Sequence, residues 1–199
     1  MDIDDTTSEY WSETFKDMEL PGAVLANREF ESCAFTGCDF SDITFDHCKF
    51  IDCTFSQCNL SVADLGYSRL LDVIFHECKL VGINWTRASW PSMGLHSPLQ
   101  FYKSILNDCS FFGLAMQELV MEECKVQQAD FREGDFSRSR FSYTDFTGSL
   151  FGKSNLTEAD FSEATAYDID VYQNTLTGAK FTRYEAVRLL ESLGLELVD

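Results

Sequence analysis

Residues 33–60 read CAFTGCDFSDITFDHCKFIDCTFSQCNL, and residues 129–161 read ADFREGDFSRSRFSYTDFTGSLFGKSNLTEADF. Both stretches place a large apolar residue at every fifth position. Worked outward, the first series runs Phe15, Leu20, Leu25, Phe30, Phe35, Phe40, Phe45, Phe50, Phe55, Leu60, Leu65, Leu70, Phe75, Leu80, Trp85, Trp90. The series then shifts by one residue and resumes as Phe101, Leu106, Phe111, Met116, Met121, Val126, Phe131, Phe136, Phe141, Phe146, Phe151, Leu156, Phe161, Ala166, Val171, Leu176, Phe181. Two residues before most centres stands a small or compact, mostly uncharged residue, such as Cys33, Cys38, Cys48, Cys53 and Cys58, or Ala129, Ser139, Thr144, Ser149 and Ser154. A period of five fits neither the 3.6 of a helix nor the 2 of a simple strand. It describes a short extended side followed by a tight turn, repeated, with the large and small residues of each unit pointing inward together.

These segments resemble the pentapeptide-repeat family, whose pattern is A(D/N)LXX, over roughly residues 13–182. The resemblance implies an all-β fold: a right-handed quadrilateral parallel β-helix, four pentapeptides per coil, with side chains twenty residues apart stacked directly above one another. About 34 units make about 8 coils, and a rise of ~4.8 Å per coil gives a rod on the order of 40 Å long. Residues 1–12 are expected to be an acidic, flexible N-terminus. Trp11, Phe15 and Met18 have helical spacing, but Phe15 and Leu20 also keep the five-residue phase, and a first, imperfect coil is favoured there. A one-residue insertion is expected to bulge at 91–100. Ala166 leaves a gap in its stack, which Tyr167 or Tyr172 is placed to cover. Residues 183–199 form the cap: Ala186, Leu189, Leu190 and Leu193 share one helix face, and Gly194 is placed to end that short C-terminal α-helix.

The chain has 199 residues and a formal charge of −18. Of this, residues 21–182 hold 22 acidic against 12 basic side chains, a net −10. Assigned to four sides by twenty-residue stacking, the charges are −3, −2, −3 and −2, so no side is a dedicated acidic stripe. Duplex DNA over ~40 Å carries ~24 negative charges, more than twice as many. The acidic balance disfavours direct contact with nucleic acid or with an anionic membrane surface. No apolar stretch is long enough to span a bilayer, and MDIDDTTSEYWSE lacks the basic and apolar regions of a secretory signal. The expected location is the cytoplasm.

All eight cysteines, Cys33, Cys38, Cys48, Cys53, Cys58, Cys78, Cys109 and Cys124, fall at the small inward position. They are read as buried, reduced thiols; bridges between stacked rungs are within geometric reach but are not formed in a reducing compartment. The histidines, His47, His76 and His96, fit no zinc pattern. Neither a phosphate-binding loop nor a nucleophile elbow is present. The carboxylate pairs Glu122–Glu123 and Asp168–Asp170 lie at outward positions and read as solvated faces. No catalytic residue, metal or cofactor is expected, because a filled shaft offers no concave site.

Within the family, three segments resemble the topoisomerase-protecting members: FTRYEAVRLLESLGLELVD (181–199), ATAYDIDVYQNTLTGAKF (164–181) and WTRASWPSMGLHSPLQF (85–101). That resemblance implies a homodimer joined through Ala186, Leu189, Leu190, Leu193, Leu195 and Leu197. It also implies DNA gyrase or topoisomerase IV as a partner, engaged by a rod that imitates DNA. Candidate partner-binding residues are Ser92, Met93, Gly94, Leu95, His96 and Ser97 in the bulge. Two acidic patches join them, Asp39 with Asp42 and Asp46, and Asp160 with Glu163. An interaction scaffold for another, basic partner is the alternative.

Overall fold

The computed structural model describes residue 3 and residues 7–90 and 99–195. It is a parallel β-solenoid of about 8 turns. The second side is the longest sheet: strands Thr14–Lys16, Ala34–Thr36, Thr54–Ser56, Val73–His76, Leu99–Tyr102 and Val120–Glu122 follow one another in register. The first side is a sheet of Glu9–Trp11, Glu29–Glu31, Lys49–Ile51 and Arg69–Leu71. The third side is a ladder of single bridges, from Glu19 through Asp39, Asn59 and Lys79 onward. The fourth begins with Val24–Ala26 paired to Thr44–Asp46. In all of these pairs the partner lies in the coil above, twenty residues on in every case but Val73–His76 with Leu99–Tyr102.

Phenylalanine fills the shaft because its ring can do two jobs. Along the axis like rings stack: Phe15–Phe35 at 5.0 Å, Phe35–Phe55 at 4.5 Å and Phe55–Phe75 at 5.1 Å. Between sides they meet edge to face, as Phe30–Phe35 does at 5.4 Å and 73°. Both geometries are favoured by the ring quadrupole, so each aromatic adds about 0.5–1.5 kcal/mol per pair beyond its burial. The corner residues are mostly left-handed, which suits Gly37, Gly82 and Gly148 and the short polar Ser32 and Asp52, but larger residues such as Val62, Tyr67 and Glu77 are held in the same conformation.

Three expectations are corrected. The ladder starts at Glu9, where Tyr10 is already buried, rather than at residue 13. Phe75 lies beneath Phe101, twenty-six residues on, so this coil exceeds the regular twenty by six residues and not by one. The extra length is one whole pentapeptide plus one residue, which is why the sequence count hid most of it. Residues 91–98 themselves lie outside the described residues. Val171 does not continue the fourth stack: Ile169 does, eighteen residues after Phe151. Ala166 turns left-handed two residues early (φ 55°), and Thr175 restores the regular register above Asn155. The slip lets Tyr167 swing fully inside, 5.7 Å from Phe161 and 5.3 Å from Phe181, where it covers the Ala166 gap; Tyr172 stays outside. The short C-terminal helix is present as expected, entered through a 3-10 turn, Glu185–Val187, that runs into one turn of α-helix, Arg188–Glu191, and Gly194 (φ 68°) ends it.

The small inward residues are also hydrogen-bond donors, which their size alone does not reveal. Ser68 donates to the Phe45 carbonyl in the coil below at 2.7 Å and accepts the Cys48 amide at 2.8 Å. It thus splices itself into a turn of the neighbouring coil. Thr144 does the same between Met121 and Cys124, and Ser149 between Val126 and Ala129. Thiols make the donor half of this contact: Cys48 to Leu25, Cys53 to Phe30, Cys58 to Phe35 and Cys78 to Phe55, at 3.2–3.5 Å. Beneath Ala63 the turn closes on itself instead, Ile43 N–H donating to the Phe40 carbonyl. Ser139 is the mismatch. It lies above a turn already closed by Leu119 N–H to Met116, and its hydroxyl has no partner.

These two serines make opposite predictions. Ser68→Ala removes the hydroxyl that bridges the Cys48 amide and the Phe45 carbonyl. It should cost about 1–3 kcal/mol in urea denaturation where the two stay unpaired, and less where the turn closes on itself as it does beneath Ala63. Ser139→Ala removes only an unsatisfied hydroxyl and should leave stability unchanged or higher.

Candidate interaction surfaces

With the shaft filled, only outward positions are available to a partner. The first acidic patch lies on one coil, on either side of a corner. Asp39 accepts the Ser41 amide at 2.9 Å and an Asn59 N–H at 3.1 Å. Asp42 is the left-handed corner residue and is exposed, and Asp46 holds His47 Nδ1 at 2.8 Å. The second patch is six rungs away, on the second side. Asp160 accepts the Ser162 amide and is paired with Lys180 at 3.2 Å, with Arg140 next below it in the ladder. Glu163 accepts the Thr182 hydroxyl at 3.3 Å. The structure therefore keeps the two patches apart, and cations flank the second. Ser92, Met93, Gly94, Leu95, His96 and Ser97 lie outside the described residues.

Outward aspartates repeatedly bend back onto the backbone. Bonds from the Ser41 hydroxyl and amide hold Asp39 below the usual carboxylate range. Arg132 does this to Asp130, at 2.7 Å, and the Tyr172 amide does it to Asp170. For Asp135, Asp145 and Asp160 burial pushes upward, but their hydrogen bonds outweigh it and the net shift is again downward. Much of the acidic surface is thus fold-stabilising. Glu122 is paired with Arg140 at 3.2 Å and Glu123 with Lys103 at 3.8 Å, so that carboxylate pair is split between two ion pairs.

The eight cysteines are buried free thiols. Burial pushes Cys53, Cys109 and Cys124 up to about 12, which keeps them protonated and unreactive at neutral pH. Among the described residues no group of three or more His, Cys, Asp or Glu is placed to hold a metal ion. No described helix is long and apolar enough to cross a membrane. The grooves are shallow. One of about 250 Å³ is lined by Val62, Ala63, Asp64, Gly82, Asn84 and Arg87, and one of about 220 Å³ by Asn27, Arg28, Glu29, His47 and Lys49.

At the C-terminal end, the expected dimer residues divide. Leu189 packs against the core and Ala186 is half-buried, its amide bonded to Thr182. Leu190, Leu193 and Leu195 face outward, 36%, 37% and 54% exposed. Leu197 lies outside the described residues. Tyr172, Tyr184 and Val187 are exposed at this end of the rod as well. Tyr184 and Val187 fall off the Ala186–Leu193 helix face that the sequence points to, and the sequence places Tyr172 only as a candidate cover for the Ala166 gap. Sequence reasoning also missed Trp11, whose exposure follows only once Tyr10 is known to be the inward residue of the first strand.

The model for the pentapeptide repeat region matches residues 28–97 and 83–161, together two thirds of the chain. No curated protein matches the sequence. Among solved structures, a trypsin-treated form of QnrB1, a plasmid-mediated fluoroquinolone resistance protein, is 23% identical with a TM-score of 0.75, covering 100% of this chain and 96% of that one. Full-length QnrB1 is 22% identical with a TM-score of 0.67, covering 94% and 100%. At this identity the likeness establishes a shared rod from end to end.

The depressed aspartates set the acid limit of the fold. A carboxyl whose folded pKa lies below its unfolded value contributes stability above the unfolded pKa and loses it as pH falls through the folded one. Tm should therefore hold from neutrality to about pH 4 and fall below it. The Asp39→Asn and Asp130→Asn variants should show a shallower fall, measured by calorimetry across pH.

Proposed function

The chain belongs to the pentapeptide-repeat family, and from that premise we propose that it is a non-enzymatic, cytoplasmic binding protein that modulates a type II topoisomerase, DNA gyrase foremost, and protects it from an inhibitor or toxin. The observation that carries the binding role is the filled shaft, which leaves side walls and tips as the only working surfaces. The topoisomerase reading is supported by a likeness to QnrB1 along the whole rod, since QnrB1 is a fluoroquinolone resistance protein. A net charge of −18 suits a partner surface that normally receives DNA. The charge density is below half that of a duplex, so imitation of DNA would be by shape and local acidic patches, Asp39, Asp42 and Asp46 first among them.

The proposed assembly is a homodimer. Leu190, Leu193 and Leu195 are each exposed at the tip, and Leu197 follows them in sequence. Ala186 and Leu189 would support that seam from below. Burying such leucines against a second copy is worth about 1.5–3 kcal/mol for each fully covered side chain. A scaffold that binds some other basic partner without touching topoisomerase is the competing reading, and the even spread of acidic residues over four sides favours it.

Supercoiling by purified gyrase, titrated with this protein in the presence and absence of a gyrase poison, separates the two. Altered supercoiling, or rescue from the poison, is expected; no change in either condition would remove the topoisomerase reading. Pull-down of a different basic protein from cell extract, without topoisomerase subunits, would then favour the scaffold. For assembly, wild type should scatter light as a dimer at micromolar concentration, and Leu190→Asp with Leu193→Asp should scatter as a folded monomer. A monomeric wild type refutes the seam.

A further inference from the structure

At the N-terminal end of the first side, strand Glu9–Trp11 turns Tyr10 into the shaft and Glu9 and Trp11 outward. Parallel register sets Glu9 beside Glu29 and Trp11 beside Glu31. A shallow groove of about 260 Å³ runs among Glu9, Tyr10, Trp11, Glu29 and Glu31. The Trp11 indole is 72% exposed, while Tyr10 beneath it stacks on Phe30 at 5.1 Å. Core packing is therefore complete without the tryptophan. Glu29 is taken by Lys49 at 2.8 Å, but Glu9 and Glu31 have no ion pair among the described residues. The surrounding sequence is strongly negative: residues 9–31 hold six carboxylates, Glu9, Glu13, Asp17, Glu19, Glu29 and Glu31, against Lys16 and Arg28.

We propose that this groove is a docking site for an arginine side chain of a basic protein segment. Two independent features select that chemistry. The outward indole offers a π-face that attracts a cation, most strongly when water is excluded from between them. The carboxylates on the adjacent rung offer acceptors for the N–H fork of a guanidinium, whose plane can lie on the ring while its edge reaches them. A lysine ammonium is a compact, strongly hydrated charge and satisfies one feature at a time. A nucleic acid is repelled by the same carboxylates. Exposed tryptophans that gain a partner dominate binding surfaces, because they bury a large area at small conformational cost. The proposal does not depend on the topoisomerase reading, and an inert result with gyrase leaves it standing.

The test uses the full-length protein labelled with nitrogen-15 and the peptide acetyl-Gly-Arg-Gly-Arg-Gly-amide, with the lysine counterpart as control. The expected result is a saturable shift of the Trp11 indole N–H and of the Glu9–Trp11 and Glu29–Glu31 amides. Binding should weaken on raising salt and be stronger for arginine than for lysine. Trp11→Ala and Glu31→Gln should each weaken it by about tenfold. Both side chains point outward, so unchanged amide spectra elsewhere will show that the variants remain folded. Shifts centred on another part of the rod, equal affinity for the two peptides, wild-type affinity in both variants, or no shift at roughly millimolar peptide would each overturn the assignment.

Discussion

Twenty residues must return the chain to the point directly above where it began, because only then do backbone amides of one coil meet carbonyls of the next and like side chains lie on like. Most of the molecule obeys this closure, and the two departures, Phe75 to Phe101 and Phe151 to Ile169, return to register within a coil. Closure selects aromatic rings that tile along the axis, as Phe15, Phe35, Phe55 and Phe75 do. It forces a left-handed residue at most corners, and it leaves three outward positions per unit for solvent or partners. Because each coil touches only its neighbours, stability accumulates along the rod and the two ends require separate solutions. At one end Tyr10 closes the shaft, and at the other a short helix does.

The inward half of the structure was legible in the sequence because burial there is a matter of period and size. Every cysteine was placed inside from its phase alone, and all eight are buried. What period could not convey was hydrogen bonding between coils. A cysteine, a serine and an alanine look alike as small residues, yet Ser68 opens a turn in the coil below while Ala63 sits over one that closes. The carbonyl that each such serine, threonine or cysteine meets lies twenty-three positions back, or twenty-nine across the longer coil, with nothing between them in sequence to announce the contact. The count near residue 95 failed for a related reason. A surplus of one full unit plus one residue looks, to a five-residue ruler, like a surplus of one.

The outward half was harder to read, since charge in sequence does not say which carboxylates are spent. Asp160 looked like part of a free patch, and its neighbours Ser162, Lys180 and Arg140 were separated from it or unremarkable in the string. Asp39 is likewise half-engaged by Ser41 and Asn59. Glu9 drew no notice because it lies within what looked like a flexible start, and Glu31 joins it only through the register of the next coil. Exposed aromatics proved equally opaque: Tyr167 and Tyr172 are five residues apart, yet one is sealed inside and the other stands in water. A two-residue slip in register decides between them, and no local propensity marks it.

That slip has a mechanical meaning. The chain loses two residues between Phe151 and Ile169 and recovers them before Thr175, so the fault is absorbed inside a single winding and never reaches the next. A rod built this way tolerates damage as a zip fastener with one bent tooth does, jamming locally while the remaining teeth engage. Pulled from its C-terminal tip, it should peel in steps one winding long, and the first pause should come where Tyr167 locks the irregular winding to the regular ones beneath.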